Sequence, residues 1–284
     1  MKRLLGGLGA LLAASVLSSA VQAAGPGAVR KRVEASMLVT GSIVVAPDGS
    51  VQSYALDQPE KLPPAVVELV GKSAPQWRFR PVQVDGRPAT AKAAMSLRVV
   101  ADQLGGDRYT VSIRDTRFGQ DAPGERPALQ DRRAPAYPRE AVMARVSGTV
   151  YLLLRVGRDG RVEDEAAEQV NLGAVASDNE LAHWRQVLAQ AALGAARGWH
   201  FEPPTAGPRA GAKEWVVRVP VAFRLRERGA GLPGYGQWEA YVPGPREPVP
   251  WLHQKPVAGG DALPDGGVYL VGGDLQLAAP PHPG

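Results

Sequence analysis

The chain has 284 residues, a formal net charge of +5, 33 glycines, 26 prolines and no cysteine. That length suits one large domain or two small ones, and the missing cysteine excludes disulfides, thiolate metal sites, a cysteine nucleophile and a cysteine-linked lipid anchor. The four histidines, His183, His200, His253 and His282, show no metal-ligand spacing, and no basic cluster interleaved with aromatics points to nucleic acid.

The N-terminus reads as a targeting segment. Lys2 and Arg3 precede an apolar, uncharged run from Leu4 to Val16, and small residues Val21 and Ala23 end it. This is the pattern of a cleaved secretory signal peptide over residues 1–23, which predicts export to a periplasm. The alternative is a retained inner-membrane anchor. Leu4–Val21 is diluted by Gly6, Gly7, Gly9 and three serines, which weakens it as a spanning helix. The leader holds two of the five net positive charges.

The mature chain contains an internal repeat. One copy covers 34–101 and the other 134–226. In each, an apolar strand stops at Asp-Gly, with Met37–Val45 before Asp48-Gly49 and Val150–Val156 before Asp159-Gly160. Asp-Gly after alternating apolar residues is a hairpin signal, because glycine accepts positive φ cheaply. Val51 and Val162 follow at the same offset. Next comes a helix. Pro64–Ser73 predicts a short one, and Ser177-Asp178-Asn179-Glu180 is a capping-box start for a longer one, ended by Gly198. An aromatic-x-aromatic-x-Pro segment follows, Trp77 to Pro81 and Trp199 to Pro203. Its period of two places both aromatics on one face, as core anchors. A last strand closes each copy, Met95–Val99 and Trp215–Phe223.

The second copy has a prologue, Tyr137-Pro138, leading into a short helix over Pro138–Arg145 that Gly148 ends. Residues 115–133 read as a linker and Tyr109–Arg114 as a stray strand. Residues 229–284 hold 10 prolines and 12 glycines, which predicts a mostly irregular tail. Val268–Val271 and Leu275–Leu277 are candidates for local pairing there. Trp238, Tyr241 and Trp251 either dock on the folded part or on a partner, or move freely with the tail. The fold class is therefore α+β: two modules, each a small antiparallel sheet with a helix on one face, plus a Pro/Gly-rich tail.

The second copy resembles the C-terminal domain of TonB, the periplasmic energy transducer. The resemblance lies in Tyr137-Pro138, Ala141, Gly148-Thr149-Val150, Asp159-Gly160-x-Val162, Ala196, Trp199-x-Phe201-x-Pro203 and Val219-Pro220-Val221-x-Phe223. The first copy is similar but lacks the Tyr-Pro start. The resemblance implies binding of an extended segment of a protein or peptide partner on the edge of the last strand, with TonB-dependent outer-membrane receptors as candidate partners. The candidate edge residues are Trp215, Val217, Arg218, Val219 and Val221, with Tyr137 beside them. Pro220 suits an edge because it lacks a donor, and Arg155 and Arg218 read as solvent-facing. The chain departs from a transducer in its cleavable leader, its missing Pro-rich spacer and its second copy.

Two further readings stay open: a membrane-anchored transducer, and a self-associating envelope scaffold. An enzyme is not expected, since no nucleophile elbow, zinc helix or phosphate loop occurs. No cofactor, metal or nucleic acid is implied. Asp48 and Asp159 have a turn-forming role, Glu163-Asp164-Glu165 reads as a solvated run, and His183 and His200 as surface residues.

Overall fold

The computed structural model describes residues 34–105, 108–119, 124–131, 133–174, 176–225, 233–252, 260–273 and 275–279. The predicted signal peptide, His253 and His282 lie outside them. The fold is mixed α+β with antiparallel sheets.

In the N-terminal half, β1 (Glu34–Val45) turns at Asp48-Gly49 into β2 (Val51–Leu56). Helix α1 (Pro64–Ser73) buries Val66 and Val70 against the sheet. The small hairpin β3 (Val82–Val84) and β4 (Arg87–Ala89) leads into β5 (Ala91–Gly105), which pairs with β1 on one side. On its other side lies β6 (Arg108–Gly119). The predicted stray strand is thus a full member of the first sheet, and the predicted linker begins inside it.

The remainder of that linker includes β7 (Ala128–Asp131), which pairs with the Trp-x-Phe segment of the second half. Helix α2 (Arg139–Met143) precedes β8 (Gly148–Gly157) and β9 (Val162–Leu172). Arg145, not Gly148, closes α2, taking a left-handed φ of 54°. Helix α3 (Asp178–Ala196) starts with the predicted capping box at Ser177 and Glu180 and buries Leu181, Leu188, Ala192 and Ala196. It ends without a left-handed glycine: Gly198 donates to Ala195 in a tight last turn (3.1 Å). Then come β10 (His200–Glu202) and β11 (Glu214–Phe223), and the second sheet runs β9–β8–β11.

The two halves repeat each other in hydrogen-bond detail. Gly49 and Gly160 both take positive φ, 83° and 81°. The Gly49 carbonyl accepts from Phe79 N–H and the Gly160 carbonyl from Phe201 N–H, each at 2.8 Å. A Cβ on either glycine would collide with the carbonyl oxygen of that same phenylalanine. Trp77, Phe79, Trp199 and Phe201 are all buried in two separate cores, each such side chain contributing roughly 1.5–3 kcal/mol. The period-two pattern has the predicted consequence, because the turn fixes the segment that carries it.

Each sheet has its helix on one face, and the two opposite faces meet. Arg98 on β5 donates to the Tyr151 hydroxyl on β8 (3.2 Å), and Ser96, Arg117, Leu153, Glu168 and Arg218 are buried on those faces. The layers are therefore helix, sheet, sheet, helix. The interlayer between the sheets is polar, and the C-terminal residues run through it.

Candidate protein-binding edge

Strand β11 pairs with β8 from Glu214 to Phe223 without a register shift. Its other edge is where the sequence resemblance expects a partner. The Val216 carbonyl points outward there, accepting from Val271 N–H at 2.8 Å. Alternation along an unbulged strand then turns the backbone groups of Arg218, Pro220 and Ala222 outward as well. The absent N–H of Pro220 therefore falls on the open side and costs the β8 ladder nothing.

The side chains of the candidate residues are placed differently from the expectation. Val217, Val219 and Val221 face the helix and are core residues. Trp215 is buried, and its indole N–H donates to the Arg209 carbonyl (2.9 Å). Arg218 is not solvent-facing. It is 5% exposed and forms a two-pronged ion pair with Glu168 (2.6 and 2.9 Å). Its face of the sheet is covered by the other half, so its charge needs a buried counter-ion. Tyr137 is not on the edge: its hydroxyl donates to Val146 (2.7 Å) and its ring meets Phe223 edge-on. Arg155 is half-buried between Asp164 and Glu163, near the ring of Trp251. What β11 can offer a partner is thus its backbone, not these side chains.

Part of that edge is already occupied. The tail is not irregular in the sense expected, since its described pieces form a strap that pairs at one open edge after another. Strand β12 (Glu239–Tyr241) adds to the start of β1. Val242 and Leu172 exchange two backbone bonds (2.8 and 3.1 Å), and Glu247 N–H donates to Glu168 (2.8 Å) along the free side of β9. Strand β13 (Tyr269–Leu270) adds to β11 at Arg218 and Val217. The segment Leu275–Ala278 pairs not with Val268–Val271 but with Phe118 and with Arg78–Arg80.

Asp261 anchors the strap between the sheets. Its carboxylate accepts from the Tyr241 hydroxyl and from Asn171 (3.2 Å), while its carbonyl accepts from Arg98 (2.7 Å) and Tyr151 (3.1 Å). Burial opposes its ionisation, but the Arg98 charge and the Tyr241 hydroxyl hold its carboxyl below the ordinary aspartate value. Burial pushes the Tyr151 and Tyr241 hydroxyls well above the usual tyrosine range. They remain neutral donors. Arg246 adds a bridge, to Asp115 at 2.9 Å and Gln169 at 3.3 Å. No sequence motif marks this cluster, because its members come from five separate strands and two loops.

Two clefts flank β13. One, of about 570 Å³, opens past Phe223 and Arg224. The other, of about 780 Å³, lies past Gly272 and is lined by Lys92, Arg117, Arg126 and Arg209. Among the described residues no group of three or more His, Asp or Glu side chains is arranged to hold a metal, and no helix is long and apolar enough to cross a membrane. His183 lies exposed, 3.9 Å from Glu140. Compared with protein-family models, curated proteins and solved structures, the chain matches none.

Proposed function

We propose that this chain is an exported, non-catalytic protein of the TonB C-terminal type, which binds an extended segment of a partner by β-strand addition to the outer edge of β11. The observation that carries the reading is that this edge already takes an extended antiparallel segment, and only over two residues. A pairing that short is marginal on its own, so a longer partner strand can compete for it. Main-chain hydrogen bonds supply the affinity, as in other strand-adding domains. The leader pattern supports a periplasmic site of action, and the sequence resemblance supports outer-membrane receptors as partners.

A photo-crosslinking residue in place of Ala222 tests the reading. Ala222 turns its backbone outward beyond the reach of β13, and replacing it leaves the Arg218–Glu168 pair intact. The expected adduct is an envelope protein captured through an extended segment. An adduct confined to the chain itself would instead favour the scaffold reading, which the strap's own pairing with β11 supports.

A further inference from the structure

The strap shows what the edge of β11 accepts. Strand β13 places Leu270 opposite Val217 and Tyr269 opposite Arg218. Residues opposite each other share a face of the sheet, and neighbours along a strand take opposite faces. Val268 and Leu270 therefore turn to the helix-covered face, where both pack against the second core. Tyr269 turns into the interlayer, where it is buried with Tyr151 and Leu263. The Arg117 guanidinium lies over its ring, 4.5 Å from the centroid. A Cβ on Gly267 would collide with that ring, which leans back along the segment. The sequence glycine, apolar, aromatic, apolar is thus set by packing.

Leu263 belongs to the strap itself, whereas Tyr151 lies on β8 and Arg117 on β6. A partner strand that replaced β13 would meet those two side chains as the walls of a vacated aromatic slot. In strand addition the main chain supplies affinity, and sites for alternate side chains supply specificity. We infer that the partner segment carries an aromatic residue opposite Arg218 with an apolar residue on each side of it, and that the slot between Tyr151 and Arg117 selects the aromatic. The inference rests on strand addition at β11 and names the pattern of the strand that is added. A guanidinium over a desolvated ring is attracted by the ring quadrupole, which an aliphatic side chain lacks. The Tyr269 hydroxyl donates to the Pro264 carbonyl within the strap (2.8 Å), so a partner does not meet that acceptor, and phenylalanine serves as well as tyrosine.

Four labelled peptides test this on the full chain by fluorescence anisotropy. One copies Gly267–Gly273, and the others carry Tyr269→Phe, Tyr269→Leu, or Val268→Ser with Leu270→Ser. They are measured on the unaltered chain and on Val271→Pro, which loosens β13 by removing the N–H that bonds the Val216 carbonyl, so that a folding defect in the variant does not decide the result. The tyrosine and phenylalanine peptides are expected to bind alike, and about tenfold more tightly than the leucine and serine peptides. In Arg117→Met the preference for phenylalanine over leucine should shrink while the preference over the serine peptide stays, a split that a general loss of fold would not produce. A leucine or serine peptide that binds as tightly as the native one would overturn the inference and leave strand addition standing. Absence of binding by all four on every chain would overturn strand addition, and the inference with it.

Discussion

Strands β5 and β11 close the two halves in the same way on one side and differently on the other. Met37 and Gly148 stand at the same distance before their turn glycines, and they pair with Val99 and Phe223 respectively. Ala91, Ala93, Met95, Leu97 and Val99 therefore correspond to Trp215, Val217, Val219, Val221 and Phe223, and all ten are buried. On the outer side, β5 carries the twelve-residue β6 from Ala94 onward. The corresponding stretch of β11 begins at Arg218. There only β13 is present, and among the described residues no strand pairs with Val219–Phe223 on that side. One edge thus has a permanent occupant and its twin a short one. The β5 edge is paired over eleven residues and the β11 edge over two, and this contrast is the basis on which strand addition at β11 is proposed.

The two closing strands differ most in chemistry at Arg218. The corresponding residue in β5 is Ala94, which needs no counter-ion. Glu168→Ala should cost about 3–5 kcal/mol by leaving the Arg218 charge buried and unpaired. Denaturation followed by hydrogen exchange should show the loss in β8, β9 and β11. An equal loss across β1 and β5 would contradict two separate cores.

The same proline substitution in the two occupants sharpens the comparison. Ser112→Pro in β6, opposite Val100 of β5, removes a ladder bond from an extensive pairing and should cost about 1–3 kcal/mol. Val271→Pro, just after β13, removes the N–H that bonds the Val216 carbonyl and should cost about 1 kcal/mol or less, since it loosens a two-residue strand. Thermal unfolding of both variants compares them directly. Comparable losses would mean that β13 is as integral as β6.

At the turns the halves should agree. Gly49→Ala and Gly160→Ala each force a Cβ into a phenylalanine carbonyl at positive φ, and each should cost about 1–3 kcal/mol. A large difference between them would show that the matching hydrogen bonds do not carry matching strain.

The smallest effect is acid loosening of the strap. The Asp261 carboxyl is held below its ordinary value by Arg98 and Tyr241, against its burial, with Asp115 and Arg246 also facing it. A depressed carboxyl stabilises the fold above the unfolded value of about 3.9 and loses that contribution as pH falls through the lower folded value. Strap protection should therefore be constant between about pH 5 and 8 and fall below about pH 4. Asp261→Asn should abolish that acid step. A step that persists in the variant would place its origin elsewhere.

The turns, the capping box of α3 and the paired aromatics were legible because their chemistry is local. Asp-Gly needs positive φ, Ser177 and Glu180 satisfy the helix N-terminus between themselves, and alternation puts Trp199 and Phe201 on one face. The interlayer was not legible for the opposite reason. Arg218 looks solvent-facing by alternation alone, and only the packing of the other half buries it. Its partner Glu168 is fifty residues away across β8. The strap was hidden by composition: proline and glycine read as irregular chain, yet they let one segment cross several strand edges. Its signal was the apolar and aromatic residues spaced along it, Tyr241, Leu263, Tyr269 and Leu275, all of them buried.

The most direct measurement is residue-resolved hydrogen exchange along the two closing strands. The account predicts alternation in β11 beyond the strap, with Val221 and Phe223 slow and Ala222 fast, because its amide faces an edge without a strand. In β5 it predicts that Leu97, Arg98 and Val99 are all slow, sealed between β1 and β6. A slow Ala222 amide, matching Arg98, would mean that the edge is closed and would contradict the open site on which the proposed function depends.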